Sequence, residues 1–303
     1  MARLMLTRLG HALFSMLALL LLVFGMVRLT GDPLQVLLPE NATEEQHRQA
    51  RQDLGLDDPV PVQFVTYIGN VAQGDLGDSI RLHTPVTELI GQRIPPTLAM
   101  ASVALVAVLA IGVPLGVFAA YWRNGRFDRF VRPFAALGQS APSFWVGLLL
   151  VLLFAVNLKW LPSGGYGGFD HLVLPAVTLA FGAVAGLTRL LRSSMIEVLN
   201  ADYITFLRTK GLPERKILWK HGLRNGGLTA LTFMGVLTAS LFTGSVIAET
   251  VFVWPGLGRL MIEAVNYRDF PVIQGVMLLF SAVYIVMNLI VDLLYIVLNP
   301  RLR

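Results

Sequence analysis

The sequence predicts an all-α membrane protein of six transmembrane helices with both termini in the cytoplasm. Three observations lead there. Of 303 residues, 55% are hydrophobic and 14% are charged, against roughly 25% charged in an ordinary soluble domain. Mean hydropathy is +0.65, more apolar surface than a water-soluble fold of this length can hide. Six stretches approach or exceed the ~20 apolar residues that cross a bilayer core. Each must be helical, because hydrocarbon offers no partner to a free backbone N–H or C=O.

The first stretch is His11 to Val27. Arg3 and Arg8 precede it as in a signal peptide, but Val27-Arg28-Leu29-Thr30 is a poor cleavage site, so it reads as an uncleaved helix. The second runs from Ile94 to Trp122 without a charged residue, and Pro114 is placed to kink it. The third is Pro133 to Leu158 and the fourth His171 to Thr188. The fifth is Asn225 to Ala248, and the sixth Phe270 to Leu298 with Asp292 near its end. Small residues recur in three of them, as Gly112-x-Pro114-x-Gly116, as Gly182 to Gly186, and as Gly235, Ser240 and Gly244. Such spacing lets helix backbones approach closely, within the chain or between subunits.

Orientation follows from the basic residues. Arg3, Arg8, Arg123, Arg126, Arg129, Arg132, Arg189, Arg192, Arg208, Lys210, Arg215, Lys216, Lys220, Arg224, Arg301 and Arg303 are sixteen of the 24 Lys and Arg. They fall in segments on one side, which is therefore cytoplasmic. The net charge of +5 is thus topological rather than a nucleic-acid footprint. The division is 1–30 for the tail and first helix, 31–93 for an extracytoplasmic segment, and 94–303 for a five-helix core. In the second part, Thr43 to Gln46 reads as a capping box opening a helix, and Gly74 to Ser79 as a turn-rich stretch.

Several chemistries are missing. There is no Gly-x-x-x-x-Gly-Lys-Ser/Thr phosphate loop, no His-Glu-x-x-His, no Gly-x-Ser-x-Gly and no Cys. Ionisable groups near a bilayer midplane, which mark coupled transporters, reduce to Asp292 near a helix end. The chain therefore carries no energy source of its own, and a stand-alone secondary transporter is the remote alternative.

The segment 193–224 is too long for a turn. Ser193 to Leu199 reads as helix, and Asp202 is placed to cap a short helix from Tyr203 to Lys210. Gly211 suits a left-handed helix stop, and Pro213 the first turn of a second helix ending near His221. The product is a helix–Gly–helix elbow exposing Phe206, Leu207 and Leu212 among basic residues.

Here the sequence resembles a family. Asp202-Tyr203-Ile204, Arg208-x-Lys210-Gly211-Leu212 and His221-x-Leu223-Arg224-Asn225 look like the coupling (EAA) loop of ABC-importer permeases, closest to the dipeptide/oligopeptide/nickel group. The likeness includes Gly31-Asp32-Pro33, Leu54-Gly55-Leu56-Asp57, Gly74 to Ser79, Pro96-Thr97-Leu98, Ser140-x-Pro142-x-Phe144-Trp145 and His171-x-x-Leu174-Pro175. It continues through Trp254 to Arg259, Arg268 to Pro271, Val291 to Tyr295 and Asn299 to Arg301. Two departures are Thr205 with Leu207, where the family usually has Arg and a small residue, and Thr229, where it usually has Pro.

The resemblance implies a type I importer fold in a bacterial inner membrane. It implies a second homologous permease, two ATPase subunits that hold ATP and Mg, and a periplasmic binding protein; this chain binds no cofactor and is not an enzyme. Asp202, Tyr203, Phe206, Leu207, Arg208, Lys210, Gly211, Leu212 and Arg224 are the expected ATPase-coupling residues. Trp254, Pro255, Gly256 and Arg259 form a periplasmic gate or docking loop, or an interfacial aromatic anchor followed by a turn. Weakly polar Ser140, Ser143, Asn157, Thr178, Thr238, Ser240, Thr243 and Ser245 are the candidates for a solute path. The implied solute is a di- or oligopeptide, with nickel, a metal chelate or glutathione as alternatives. Residues 161–171 look more like nickel-type members, and 122–124 with 220–225 more like peptide- or glutathione-type ones.

Overall fold

The computed structural model describes residues 2–29, 43–53, 56–243 and 245–298. Gly31-Asp32-Pro33, Leu54-Gly55, Asn299-Pro300-Arg301 and the side chains of Thr229, Thr243 and Asp292 lie outside the described residues. The described part is helical and divides into two compact units, Met1–Pro95 with Arg259–Ile285, and Pro96–Gly258 with Val286–Arg303.

In the first unit, α1 (Ala2–Leu29), α2 (Glu44–Asp53) and α3 (Val60–Ala72) precede a bend-rich stretch. Helix α1 buries Leu20, Val23 and Phe24, and Phe24 sits edge-on to Phe64 of α3, 5.1 Å between centroids. The expected capping box opens α2: the Thr43 N–H donates to Gln46 Oε1 (2.9 Å), and the Gln46 N–H to Thr43 Oγ1 (3.3 Å). The Gly74–Ser79 turns are fixed by Asp269, whose buried carboxylate accepts from the Ser79 hydroxyl (2.5 Å) and the Ile80 N–H (3.2 Å).

The second expected span lies in α4 (Val86–Tyr121), which starts two turns early. A π-helical turn at Val108–Gly112 precedes Pro114, which sits in the first turn of the next α-helical stretch. That extra residue per turn accommodates the missing proline N–H without ending the span.

The third span differs from expectation. Residues 126–157 form two helices, α5 (Arg126–Ser140) and α6 (Ser143–Asn157), bent by 108°. The cause is Pro142: the residue before it, Ala141, is held extended at φ −72°, ψ 126°. Arg126, Arg129 and Arg132, expected in a loop, lie on α5, which buries Asp128, Val131, Ala135 and Gly138.

The core of the second unit is α7 (Phe169–Leu199), whose apolar window is 61% buried against 39% for α4. It unites the fourth expected span with the following helix. Its inward residues, among them Leu187, Leu191 and Met195, pack with Met100, Val108 and Val117. The small-residue stripes serve this packing: a Cβ at Gly116 would meet Leu191 at 2.9 Å, and one at Gly186 would meet Phe233 at the same distance. Within the chain, then, these glycines pass helix against helix. Helices α8 (Asp202–Thr209) and α9 (Glu214–Lys216) follow. A π-helical turn, Ile217–Gly222, then feeds directly into α10 (Leu223–Thr243). The chain closes with α11 (Ser245–Val251), α12 (Leu257–Asn266) and α13 (Phe270–Leu298).

Three helices, Val86–Tyr121, Phe169–Leu199 and Phe270–Ile290, are each long and apolar enough to cross a membrane; the bent pair α5–α6 makes a fourth. The first and fifth expected spans fall on α1, with its shorter apolar stretch Leu13–Gly25, and on α10–α11.

Candidate functional site

The elbow is built around one glycine. Gly211 has φ +75°, and its N–H donates to Arg208 O (2.9 Å) while the Leu212 N–H reaches Leu207 O (3.2 Å). Those two bonds are the Schellman arrangement, which ends a helix through a left-handed residue. Around the turn, Arg208 forms an ion pair with Glu214 at 2.8 Å, and the Lys210 ammonium lies 4.5 Å from the Phe206 ring centroid. Below it, Ile204, Ile217 and Leu218 are buried with Met195 and Leu199. Asn225 Nδ2 donates to the Tyr203 hydroxyl (2.8 Å), fastening the elbow to α10. The elbow is therefore rooted in the core and turned outward only at its tip.

Four details differ from the expected elbow. Asp202 is not the cap: Ala201 holds that position without a side-chain bond, and Asp202 sits in the first turn, where its charge complements the helix N-terminus. Pro213 is one residue earlier than expected, at the cap position of α9 with ψ 138°. The second helix does not stop near His221, because the π-helical turn continues it into α10. Leu207 and Leu212 are partly buried against the core, since the Schellman turn brings them together under the helix end. Tyr203 and Phe206 form the exposed apolar tip, Phe206 being 57% exposed. Arg224 is exposed on α10.

The second constellation surrounds a buried acid that sequence reasoning missed. Glu249 on α11 is 0% exposed, and its carboxylate accepts from the hydroxyls of Thr97 (2.7 Å) and Ser245 (2.8 Å). Thr97 Oγ1 in turn accepts from the Leu257 N–H (2.9 Å). The Trp254 indole N–H donates to Pro96 O (2.9 Å), and Trp254 is 2% exposed, so its ring lies in the protein interior rather than at a bilayer surface. Gly256 abuts the Glu249 carboxylate so closely that a Cβ there would collide with it. Pro96-Thr97 and the Trp254–Gly258 loop, far apart in sequence, are thus joined by two direct hydrogen bonds, with the Glu249 carboxylate holding Thr97 and packing against Gly256. Val253, just before the loop, has φ +54°, a costly conformation for a β-branched residue. Arg259 pairs with Glu263 one turn along α12 (2.9 Å). The signal available in sequence was position: Glu249 directly follows the apolar run ending at Ala248.

A second missed pair is Asp128 of α5 with Arg192 of α7. Asp128 is 0% exposed and takes two bonds from the Arg192 guanidinium, at 2.5 and 2.9 Å. The sign in sequence was a lone acid among Arg123, Arg126, Arg129 and Arg132.

The solute-path candidates do not form one group. Thr178 and Ser245 are buried, Thr178 bonding Leu174 O (2.8 Å) and Ser245 serving Glu249. Thr238 is partly buried and bonds Met234 O (2.7 Å). Ser140, Ser143, Asn157 and Ser240 are exposed.

The fold agrees with a chain of the MetNI methionine ABC transporter solved in inward-facing conformations, at TM-score 0.60 and 20% identity over 70% of this chain and 96% of that one. The chain belongs to the family described as binding-protein-dependent transport system inner membrane component, matched over residues 112–303; residues 1–101 match that family's N-terminal region. It is 40% identical to a probable peptide ABC transporter permease of Sinorhizobium fredii, over 93% of each chain. It is 41% identical to the glutathione transport system permease of Salmonella typhimurium over 95% of each. A putative peptide transport system permease of Brucella abortus is 39% identical over 100% of this chain and 99% of its own. This is a multi-pass inner-membrane permease subunit of an ATP-driven importer, and not itself a catalyst of hydrolysis.

Proposed function

We propose that this permease passes a short peptide or glutathione from a periplasmic binding protein to the cytoplasm. In this reading it is paired with a second, non-identical permease and driven by two ATPase subunits that hold ATP and Mg. The observation that carries the reading is the elbow: a rigid element rooted in the core, turned at Gly211, with Tyr203 and Phe206 outward. Closure of the ATPase pair must reach the spans through a packed element rather than a floppy loop. Arg208, Lys210 and Arg224 supply the polar rim, and Leu207 and Leu212 hold the tip in place. The peptide-type solute is supported by the names of the relatives above, alike along their whole length. Trp254 to Arg259 act as the gate or docking loop, and the exposed Ser140, Ser143, Asn157 and Ser240 offer weak contacts that do not hold the solute back.

The test is uptake into proteoliposomes holding the two permeases and the ATPases, with loaded binding protein outside and ATP inside. Labelled tripeptide or glutathione accumulates only with ATP and binding protein together. Accumulation without either, or uptake of nickel in place of both solutes, would contradict the proposal.

A further inference from the structure

On the second arm of the elbow lies a hollow, mainly apolar in its lining and bordered by cations, that neither the coupling role nor the gate uses. It is open, of about 470 Å³, and is lined by Pro213, Arg215, Lys216, Trp219 and Lys220. A hollow of this size falls within the range of small-ligand sites, roughly 300–1,000 Å³. Arg208, Arg192 and Arg259 each have a carboxylate partner, whereas no acid among the described residues forms an ion pair with Arg215, Lys216 or Lys220. The Trp219 ring meets Phe118 edge-on at 6.1 Å, and Phe118 stacks on Trp122 at 5.3 Å. Phe118 and Tyr121 end the apolar helix α4, and Tyr121 and Trp122 are exposed.

We propose that this hollow holds the glycerol and upper acyl region of an anionic phospholipid against Pro213 and Trp219, with the exposed Arg215, Lys216 and Lys220 at its rim on the phosphate. The charge complements the anionic surface of the membrane in which the chain resides. Aromatic residues clustered where an apolar helix ends are the signature of the bilayer interface, where an indole keeps one edge wet. An ATPase surface is the competing occupant. The exposed apolar residues of the elbow tip, Tyr203 and Phe206, are not among the lining residues, and the aromatic cluster leads from the hollow to a membrane helix.

The experiment uses the complete importer, purified with its ATPases into nanodiscs of mixed phosphatidylcholine and phosphatidylglycerol, then analysed by native mass spectrometry. Wild type retains phosphatidylglycerol over phosphatidylcholine. Arg215→Gln/Lys216→Gln/Lys220→Gln lowers that preference on the order of a hundredfold, since each cation near an anionic surface contributes about fivefold. The triple variant keeps its ATPases. Unchanged retention overturns the proposal; so does loss of the ATPase instead of the lipid, which makes the hollow a protein contact. Displacement of the lipid by millimolar inorganic phosphate also overturns it, as the mark of a soluble-anion site. Should the variant fail to fold, a photoactivatable phosphatidylglycerol on the wild-type complex decides: label on the 213–220 peptide supports the site, and its absence there overturns it.

Discussion

At Gly211 and at Gly256 a hydrogen in place of a side chain decides the local structure, and the two were not equally legible. A left-handed stop at Gly211 follows from chain chirality and the short helix before it, so sequence suffices. The need for glycine at 256 arises from Glu249, and the Glu249 site itself depends on Thr97, 152 residues away. No local pattern carries that information. Gly256→Ala should destabilise the protein by about 1–3 kcal/mol, the usual cost of overpacking a filled site. Glu249→Ala, which removes the acceptor of two buried hydroxyls, should cost about 1–3 kcal/mol per hydroxyl; Glu249→Gln should cost less, because its amide oxygen accepts the same bonds. Thermal unfolding of the purified protein in detergent, followed by tryptophan fluorescence, checks the order. A Gln variant as unstable as the Ala variant would mean that the carboxylate acts through something other than these bonds.

Among the elements, the apolar part of α7 was legible as a span and Ser193–Leu199 as a helix, but their union in one helix was not. Nor was the break between α5 and α6, because hydropathy averages across Pro142 and hides the bend. The start of α5 is held to α7 by Asp128 and Arg192, both of which sequence placed in cytoplasmic segments. Breaking such a buried pair leaves an uncompensated charge, so Arg192→Met should cost about 3–5 kcal/mol, and Asp128→Asn added to it should restore much of the loss. A double-mutant cycle on thermal stability measures the coupling; additive losses would show that the two residues act independently.

At the scale of the whole molecule, the class of protein was legible from hydropathy and an ordered series of short motifs, while the solute was not, because its recognition is shared with a binding protein. The basic segments imply an orientation with both termini in the cytoplasm, and a fusion series tests it. Alkaline phosphatase fused after residue 60 should be active in a Gram-negative host and inactive after residue 127; the reverse pattern would invert the topology. The central claim, that the elbow transmits ATPase closure to the spans, rests on Gly211 at φ +75° with open space around its absent Cβ. A side chain there meets no neighbour, so the penalty is one of backbone conformation, about 1–2 kcal/mol and greater for a β-branched residue, while Asn tolerates the left-handed region. The most direct measurement is ATP-driven uptake by the reconstituted importer carrying Gly211→Val or Gly211→Asn, with subunit assembly monitored in parallel. Both variants should assemble, Val should lower uptake about tenfold or more, and Asn should stay near wild type. Wild-type uptake by the Val variant would contradict the central claim.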